Sequence, residues 1–307
     1  MKTILVTGSN GLLGQKITEA VLADKSFHLV ATGIGLNRFT STEGYAYEEM
    51  DISDRLQVDA VVKKYKPDAI IHTAALTDVD KSELRQEDAW RLNVESVKIL
   101  TEICSRQQIH LVHLSTDFIF DGADGPYSEE AMPNPLSFYG KTKLAAEEIV
   151  KNSACSWAIL RTVLVFGIIS DASRSNIVLW AKNALEKGQA IKVVNDQWRT
   201  PTLAEDLATG CLLTVEKHAR GIYNICGKDF MSVSELVYQL ADYWKLDKSL
   251  ITEVSSVTLD QQAKRPVRTG FMINKAINDL GYTPHSFAEG LQMVDYQLAQ
   301  RLKSQKL

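Results

Sequence analysis

The first fourteen residues constrain the fold more than any other part of the chain. Lys2-Thr3-Ile4-Leu5-Val6-Thr7 is a short apolar run rich in β-branched residues, the composition of a strand buried on both faces of a parallel sheet. Gly8, Gly11 and Gly14 follow at once within Gly8-Ser9-Asn10-Gly11-Leu12-Leu13-Gly14, and Gln15 to Ala23 reads as a helix. Glycines in a strand-to-helix turn permit a tight bend, let the backbone approach a pyrophosphate and let helix and strand pack closely. The helix N-terminus meanwhile offers free N–H groups to an anion. Taken without its flanks, the glycine triplet is equally compatible with an ordinary β-to-α turn.

The same unit recurs. Phe27 to Thr32, Ala69 to Thr73, His110 to Leu114 and Trp157 to Arg161 are strand-like, with helical segments between them, including Glu83 to Arg106. Alternation of this kind predicts an α/β fold, a doubly wound parallel Rossmann sheet whose ligands sit beyond the C-terminal ends of the strands. After Phe166 the texture changes to helices at Ser173 to Lys187, Ala204 to Val215, Ser232 to Leu246 and Pro284 to Leu302, with short strands at Ile191 to Val194 and Gly221 to Ile225. The expected division is a dinucleotide-binding domain of residues 1–165 plus about 191–226. A smaller C-terminal substrate lobe would take about 166–190 and 227–307.

With 307 residues, 45% of them hydrophobic, the chain can bury a large core. Its net charge of −4 and lack of a basic stripe argue against nucleic acid as a partner, and no apolar run is long enough to cross a bilayer. The first strand begins directly after Met1, with no secretory leader before it, so the protein is expected in the cytoplasm. Cys104, Cys155, Cys211 and Cys226 show no Cys-x-x-Cys spacing and read as reduced, buried residues, with no metal site expected.

Tyr139 and Lys143 stand four apart in Ser137-Phe138-Tyr139-Gly140-Lys141-Thr142-Lys143, which places a phenol and an ammonium on one helical face. A lysine cation beside a tyrosine favours the phenolate and draws its pKa toward the working range, so the pair suits proton transfer. Such a pair also occurs on plain solvated faces. Ser115-Thr116-Asp117 ends the strand begun at His110, at the edge where a ligand is expected, and the Thr116 hydroxyl suits either carbonyl polarisation or a local backbone cap. Hydroxyl, phenol and ammonium together are the groups needed to protonate a ketone oxygen while hydride reaches its carbon.

These motifs, with Asp51-Ile52, Thr73-Ala74-Ala75, Asn93, Phe118 to Gly122, Pro135 to Glu147 and Leu160-Arg161 through Phe166-Gly167, resemble the extended short-chain dehydrogenases/reductases. Arg199-Thr200-Pro201-Thr202, Gly221 to Asn224, Arg265-Pro266 and Asn274-Lys275 are most similar to the dTDP-4-dehydrorhamnose reductases within that group. The resemblance implies reduction of a nucleotide-linked keto sugar, with Tyr139 as proton donor, Lys143 on the nicotinamide ribose and Thr116 on the carbonyl oxygen. It implies that Gly8, Gly11 and Gly14 wrap the cofactor pyrophosphate, with Asn10, Leu12 and Leu13 also in the cofactor site. Asp51 and Ile52 would flank the adenine, and Ala74, Ala75, Thr77 and Asn93 would line the rest of the cofactor site. Asp51 is equally placed to cap the helix after Ser53.

The second strand runs into Gly33-Ile34-Gly35 without an acid to hold a ribose diol, and Arg38 follows. NADP(H) is therefore favoured, NAD(H) being possible, and Arg38 is alternatively a solvated loop cation. Trp198, Arg199 and Arg265 are candidates for the nucleotide and diphosphate of the substrate, or else a shielding tryptophan and two salt-bridge arginines. Some enzymes of the family dimerise around Mg²⁺ held by acids. Gln15-Lys16 supplies none at the position just after the glycine turn, although Glu205 and Asp206 stand later in the chain, which counts against both the metal and that dimer; no metal is expected, and a homodimer stays open. The non-catalytic β subunit of methionine adenosyltransferase is also similar to this family, which leaves a regulatory subunit as the alternative.

Overall fold

The computed structural model describes residues 1–170, 176–258 and 261–304. The chain opens with β1 (Lys2–Thr7), α1 (Leu12–Asp24), β2 (Phe27–Gly33), β3 (Ala46–Glu49), α2 (Arg55–Tyr65) and β4 (Ala69–His72). Helices α3 (Val79–Leu84) and α4 (Gln86–Trp90) lead through a π-turn at Arg91–Glu95 into α5 (Ser96–Gln107) and β5 (His110–Thr116). Then come α6 (Phe138–Lys151), β6 (Trp157–Thr162), β7 (Val165–Phe166) and α7 (Ile177–Glu186). The C-terminal part holds β8 (Ile191–Val194), β9 (Trp198–Arg199), β10 (Thr202–Leu203), α8 (Ala204–Glu216), β11 (Gly221–Asn224), β12 (Met231–Ser232), α9 (Val233–Trp244), β13 (Ile251–Val254) and α10 (Phe287–Ser304).

Seven strands form one parallel sheet in the order β11-β6-β5-β4-β1-β2-β3. Its faces carry separate apolar layers. Ile4, Val6, Val112 and Leu160 pack with Ile17 of α1 and Leu207 and Cys211 of α8, while Leu5, Ile70, Leu111 and Ile159 pack with Val58, Leu100, Ile103 and Val150 of α2, α5 and α6. Alternate residues of one strand thus enter opposite cores, as the period of two requires. The four cysteines are buried and free, and burial pushes their thiols up, that of Cys226 to about 12. Among the described residues no helix is long and apolar enough to cross a membrane.

The doubly wound fold matches the expectation, with one correction. Ile191–Val194 does not enter the large sheet but pairs in parallel with Ile251–Val254. Ile191, Val193 and Val194 close a separate core with α7, α9 and α10, through Val178, Leu240 and Leu291. The cause is composition: a four-residue run with apolar residues on either side of Lys192 fits any buried strand, and periodicity carries no information about its partner. Gly221–Asn224, by contrast, extends the large sheet beside β6. The expected helix from Ser173 starts outside the described residues, and its described part is α7.

A buried polar anchor fixes α6 against the sheet. Arg161 of β6 donates through Nε and Nη2 to the two carboxylate oxygens of Glu147 on α6, at 3.0 and 2.8 Å. Ser115 of β5 donates to the same carboxylate at 2.6 Å. Glu147 and Arg161 are 0% and 1% exposed, so neither charge can turn to water if the other is lost. Replacing Glu147 with alanine is expected to cost about 3–5 kcal/mol, because it strands a buried guanidinium. Urea denaturation measures this, and a loss below about 1 kcal/mol contradicts the anchor role.

Candidate active site

A cavity of about 710 Å³ opens at the C-terminal ends of β1, β2, β4 and β5, where a doubly wound sheet binds its ligands. Its floor is the glycine turn. Gly8 has φ +69°, and a Cβ there would stand 2.8 Å from the Ala74 nitrogen. Gly14 lies behind the turn, where a Cβ would come within 2.5 Å of the Gly8 oxygen. The first glycine therefore lets the loop after β4 close onto the turn, and the third lets α1 pack on it. Helix α1 has Gly11 as its N-cap, with no side-chain cap and no acid in its first turn, which leaves its positive end available to an anion. These features fit a dinucleotide pyrophosphate.

Of the residues expected to hold the cofactor, Gly8, Asn10, Gly11, Leu12, Leu13, Arg38, Ile52, Ala74, Ala75 and Thr77 line this cavity, as do Thr116, Tyr139 and Lys143. Asp51 does not. Its carboxylate accepts from the Ser53 N–H and hydroxyl at 2.8 Å, and the helix cap it was equally placed to provide belongs to Asp54. Asn93 also stands behind the wall rather than in it. From the π-turn its amide accepts from Leu76 N–H at 2.8 Å and donates to the Leu76 carbonyl at 3.1 Å and to Thr142 at 3.0 Å. It therefore ties the loop after β4 to α6, holding Ala75 and Thr77 in place without facing a ligand.

Ser137 caps α6 by accepting from Gly140 N–H at 3.1 Å, so the helix begins just before Tyr139 and aims the phenol and Lys143 at the end of β5. Gly140 is required there, since a Cβ would lie 2.2 Å from the Phe118 carbonyl oxygen. Lys143 is buried and donates to the Leu114 carbonyl at 2.6 Å, and burial brings its pKa down to about 8 against the raising effect of Glu147. Tyr139 behaves otherwise than expected. Burial pushes its phenol up, the Thr116 hydroxyl opposes this by hydrogen bonding, and Asp117 reinforces it. Burial is the largest of these influences, and the phenol stays protonated.

Several cavity residues escaped the sequence reading. Asp117 is buried, accepts from Thr116 at 3.1 Å and from Thr269, and has Arg199 Nε at 3.6 Å. Its carboxyl is raised by burial against that arginine charge. His72 lies under the site, bonded through Nδ1 to Thr7 at 2.7 Å and stacked on His113 at 5.4 Å. Burial first and then Lys143 lower both rings, His72 to about 3, so both are neutral and add no charge beneath the lysine. Leu164, also in the wall, has φ +41°, a strained non-glycine backbone of the kind that clusters at functional sites.

The three residues expected to meet the substrate are placed differently from one another. Arg199 reaches the cavity, but its Nη atoms donate to the Trp198, Val267 and Pro266 carbonyls and to Gln197, leaving its charge to Asp117. Arg265 lies outside the cavity in a bidentate ion pair with Asp80, at 3.2 and 2.7 Å. Trp198 is half-buried and also outside it, near Phe230 with ring centres 5.7 Å apart, and the Arg268 guanidinium lies over both rings. A lysine–acid pair occupies the position just after the glycine turn, Lys16 meeting Glu205 at 3.0 Å.

Residues 1–299 match the family model of the RmlD substrate binding domain. The chain belongs to that family, within the extended short-chain dehydrogenases/reductases of the oxidoreductase class. It is 27% identical over 306 residues to a dTDP-4-dehydrorhamnose reductase of Aggregatibacter actinomycetemcomitans, covering 96% of this chain and 98% of that one. It is 30% identical over 256 residues to methionine adenosyltransferase 2 subunit beta of Xenopus tropicalis, covering 82% and 75%. Its fold matches dTDP-4-dehydrorhamnose reductase of Bacillus anthracis in complex with NADP, with a TM-score of 0.82, 26% identity and coverage of 96% and 99%.

The lowered pKa of Lys143 has a measurable sign. An unfolded lysine keeps its proton to about pH 10.4, whereas the folded one gives it up near pH 8, so between these values the unfolded state binds more protons. Burying Lys143 therefore weakens the fold fully below pH 8, and the penalty is relieved as pH rises toward 10. Relative to Lys143→Met, the unsubstituted protein is expected to gain about 1 kcal/mol of stability per pH unit across that window. Parallel denaturation curves at pH 8 and pH 10 check it, and identical pH dependence of the two proteins refutes it.

Proposed function

We propose that the protein reduces the 4-keto group of dTDP-4-dehydro-L-rhamnose to dTDP-L-rhamnose, a precursor of cell-surface polysaccharide, with NADPH preferred and NADH accepted. The observation that carries this reading is the convergence of Thr116, Tyr139 and Lys143 on a cavity whose other end is the glycine turn. A reduced nicotinamide bound there supplies hydride to the carbonyl carbon. The protein supplies the rest. Tyr139, held neutral by burial, carries the proton that the sugar oxygen must receive, and a neutral phenol is the form a donor needs. Lys143 sets the charge beside it and offers its ammonium to the ribose hydroxyls.

Thr116 is assigned to the same oxygen; its hydroxyl donates to Asp117 at 3.1 Å and accepts from the Phe118 N–H at 3.3 Å. Gly8, Gly11 and the open end of α1 suit the pyrophosphate, and Arg38 suits a 2′-phosphate. On the substrate side, Arg199 and Arg265 are engaged within the protein, so the surface proposed for the nucleotide is Trp198 with Arg268.

A second reading, a regulatory subunit that binds the cofactor without turnover, draws on the identity to the Xenopus tropicalis protein. Mixing the purified protein with NADPH and the keto-sugar nucleotide separates them. Loss of absorbance at the dihydronicotinamide band with formation of dTDP-L-rhamnose is expected, and Tyr139→Phe should lower turnover by about two to four orders of magnitude with cofactor affinity nearly unchanged. No oxidation with any nucleotide sugar, together with a co-purifying enzyme, favours the regulatory reading. Epimerisation without net oxidation indicates a sugar epimerase instead.

A further inference from the structure

Residues 34–38 bridge β2 toward β3 and form the rim of the cavity at its adenosine end, with Ile34 and Arg38 in its wall. Asn10, from the glycine turn, spends its whole side chain on this loop. Its Oδ1 accepts from Arg38 N–H at 2.9 Å, while Nδ2 donates to the Leu36 carbonyl at 3.1 Å and to the Tyr47 hydroxyl at 3.0 Å. Tyr47 completes the clasp from β3, donating its own hydroxyl proton to the Gly35 carbonyl at 2.7 Å. Glu49, two residues on, accepts from Gly35 N–H at 3.1 Å, so its carboxylate is tied to the loop backbone. The clasp closes tightly over Gly33, where a Cβ would stand 2.9 Å from Asn10 Nδ2 and 3.3 Å from the Tyr47 hydroxyl.

The turn that carries the pyrophosphate is thereby locked to the loop that carries Arg38. Tyr47 itself does not line the cavity. We propose that Tyr47 is a positioning residue for cofactor choice: by clamping Asn10 and Gly35 it holds the Arg38 backbone where the guanidinium meets a ribose 2′-phosphate, and so sets the preference for a 2′-phosphorylated dinucleotide. The inference rests on the cofactor reading above. Its physical content is preorganisation. An arginine on a floating loop must be ordered when the phosphate binds, and that cost is charged to the phosphorylated cofactor alone, since the unphosphorylated one makes no use of the guanidinium.

Fluorescence titration of the full chain with NADPH and with NADH, no sugar present, tests it. Tyr47→Phe removes one hydroxyl and is expected to weaken NADPH binding about three- to tenfold, the worth of a hydrogen bond or two, while NADH changes less than about twofold. Arg38→Ala should act in the same direction, and Tyr47→Phe added to Arg38→Ala should weaken NADPH binding no further, because the tyrosine acts through the arginine. Equal weakening of both cofactors by Tyr47→Phe, or full additivity of the two substitutions, overturns the inference. If the unsubstituted protein binds neither cofactor, the cofactor reading itself falls, and this proposal with it.

Discussion

The site depends on the buried pair of Glu147 and Arg161. A carboxylate on α6 and a guanidinium on β6, both out of reach of water, fix the helix against the sheet in one register, with Ser115 of β5 as the third partner. Lys143 lies one turn before Glu147 on the same helix, and Tyr139 one turn before Lys143. A slip of α6 by a single residue would carry both groups off the cavity face. Buried ion pairs are weak evidence for stability, because desolvation offsets much of their attraction. Here the pair's consequence is specificity of position, since moving α6 away from β6 would leave both charges buried without their partner.

Once the helix is fixed, burial decides the protonation states around the cavity. Water is excluded from Tyr139, Lys143, His72 and His113, and in each case desolvation is the largest effect, favouring the neutral form. A phenol that keeps its proton and a lysine poised near neutrality together suit donation to an oxygen that becomes negative during reduction. Asp117 and Arg199 balance one another at the far side of Thr116, so the cavity wall carries a paired charge there rather than a free one.

Local chemistry was legible in the sequence, and partnership was not. The strand, glycine turn and helix at Lys2 to Ala23 could be read because each glycine answers a backbone demand within a few residues, and the structure shows the close approaches that require Gly8 and Gly14. Tyr139 and Lys143 were likewise readable, since helical spacing alone puts them on one face. Arg199 and Arg265, read as candidates for the substrate's nucleotide and diphosphate or else as salt-bridge arginines, are engaged by the Pro266 and Val267 carbonyls and by Asp80, partners distant in sequence that spacing does not disclose. Ile191 to Val194 failed for the same reason: a strand's pattern does not name its neighbour. Asn93 was found as a motif residue, and its side chain bonds Leu76 and Thr142, a link that only the three-dimensional fold reveals.

Under the proposed function, a dihydronicotinamide bound in the cavity beside Tyr139 would pass its hydride to a sugar carbonyl carbon. Turnover with NADPH deuterated at nicotinamide C4, followed by proton NMR of the sugar, tests this most directly. The account requires the deuterium of the transferred face to reside at sugar C4, seen as loss of that proton's signal in a single stereoisomer. Product formed with hydrogen from solvent at C4, or label at another sugar carbon, would contradict it.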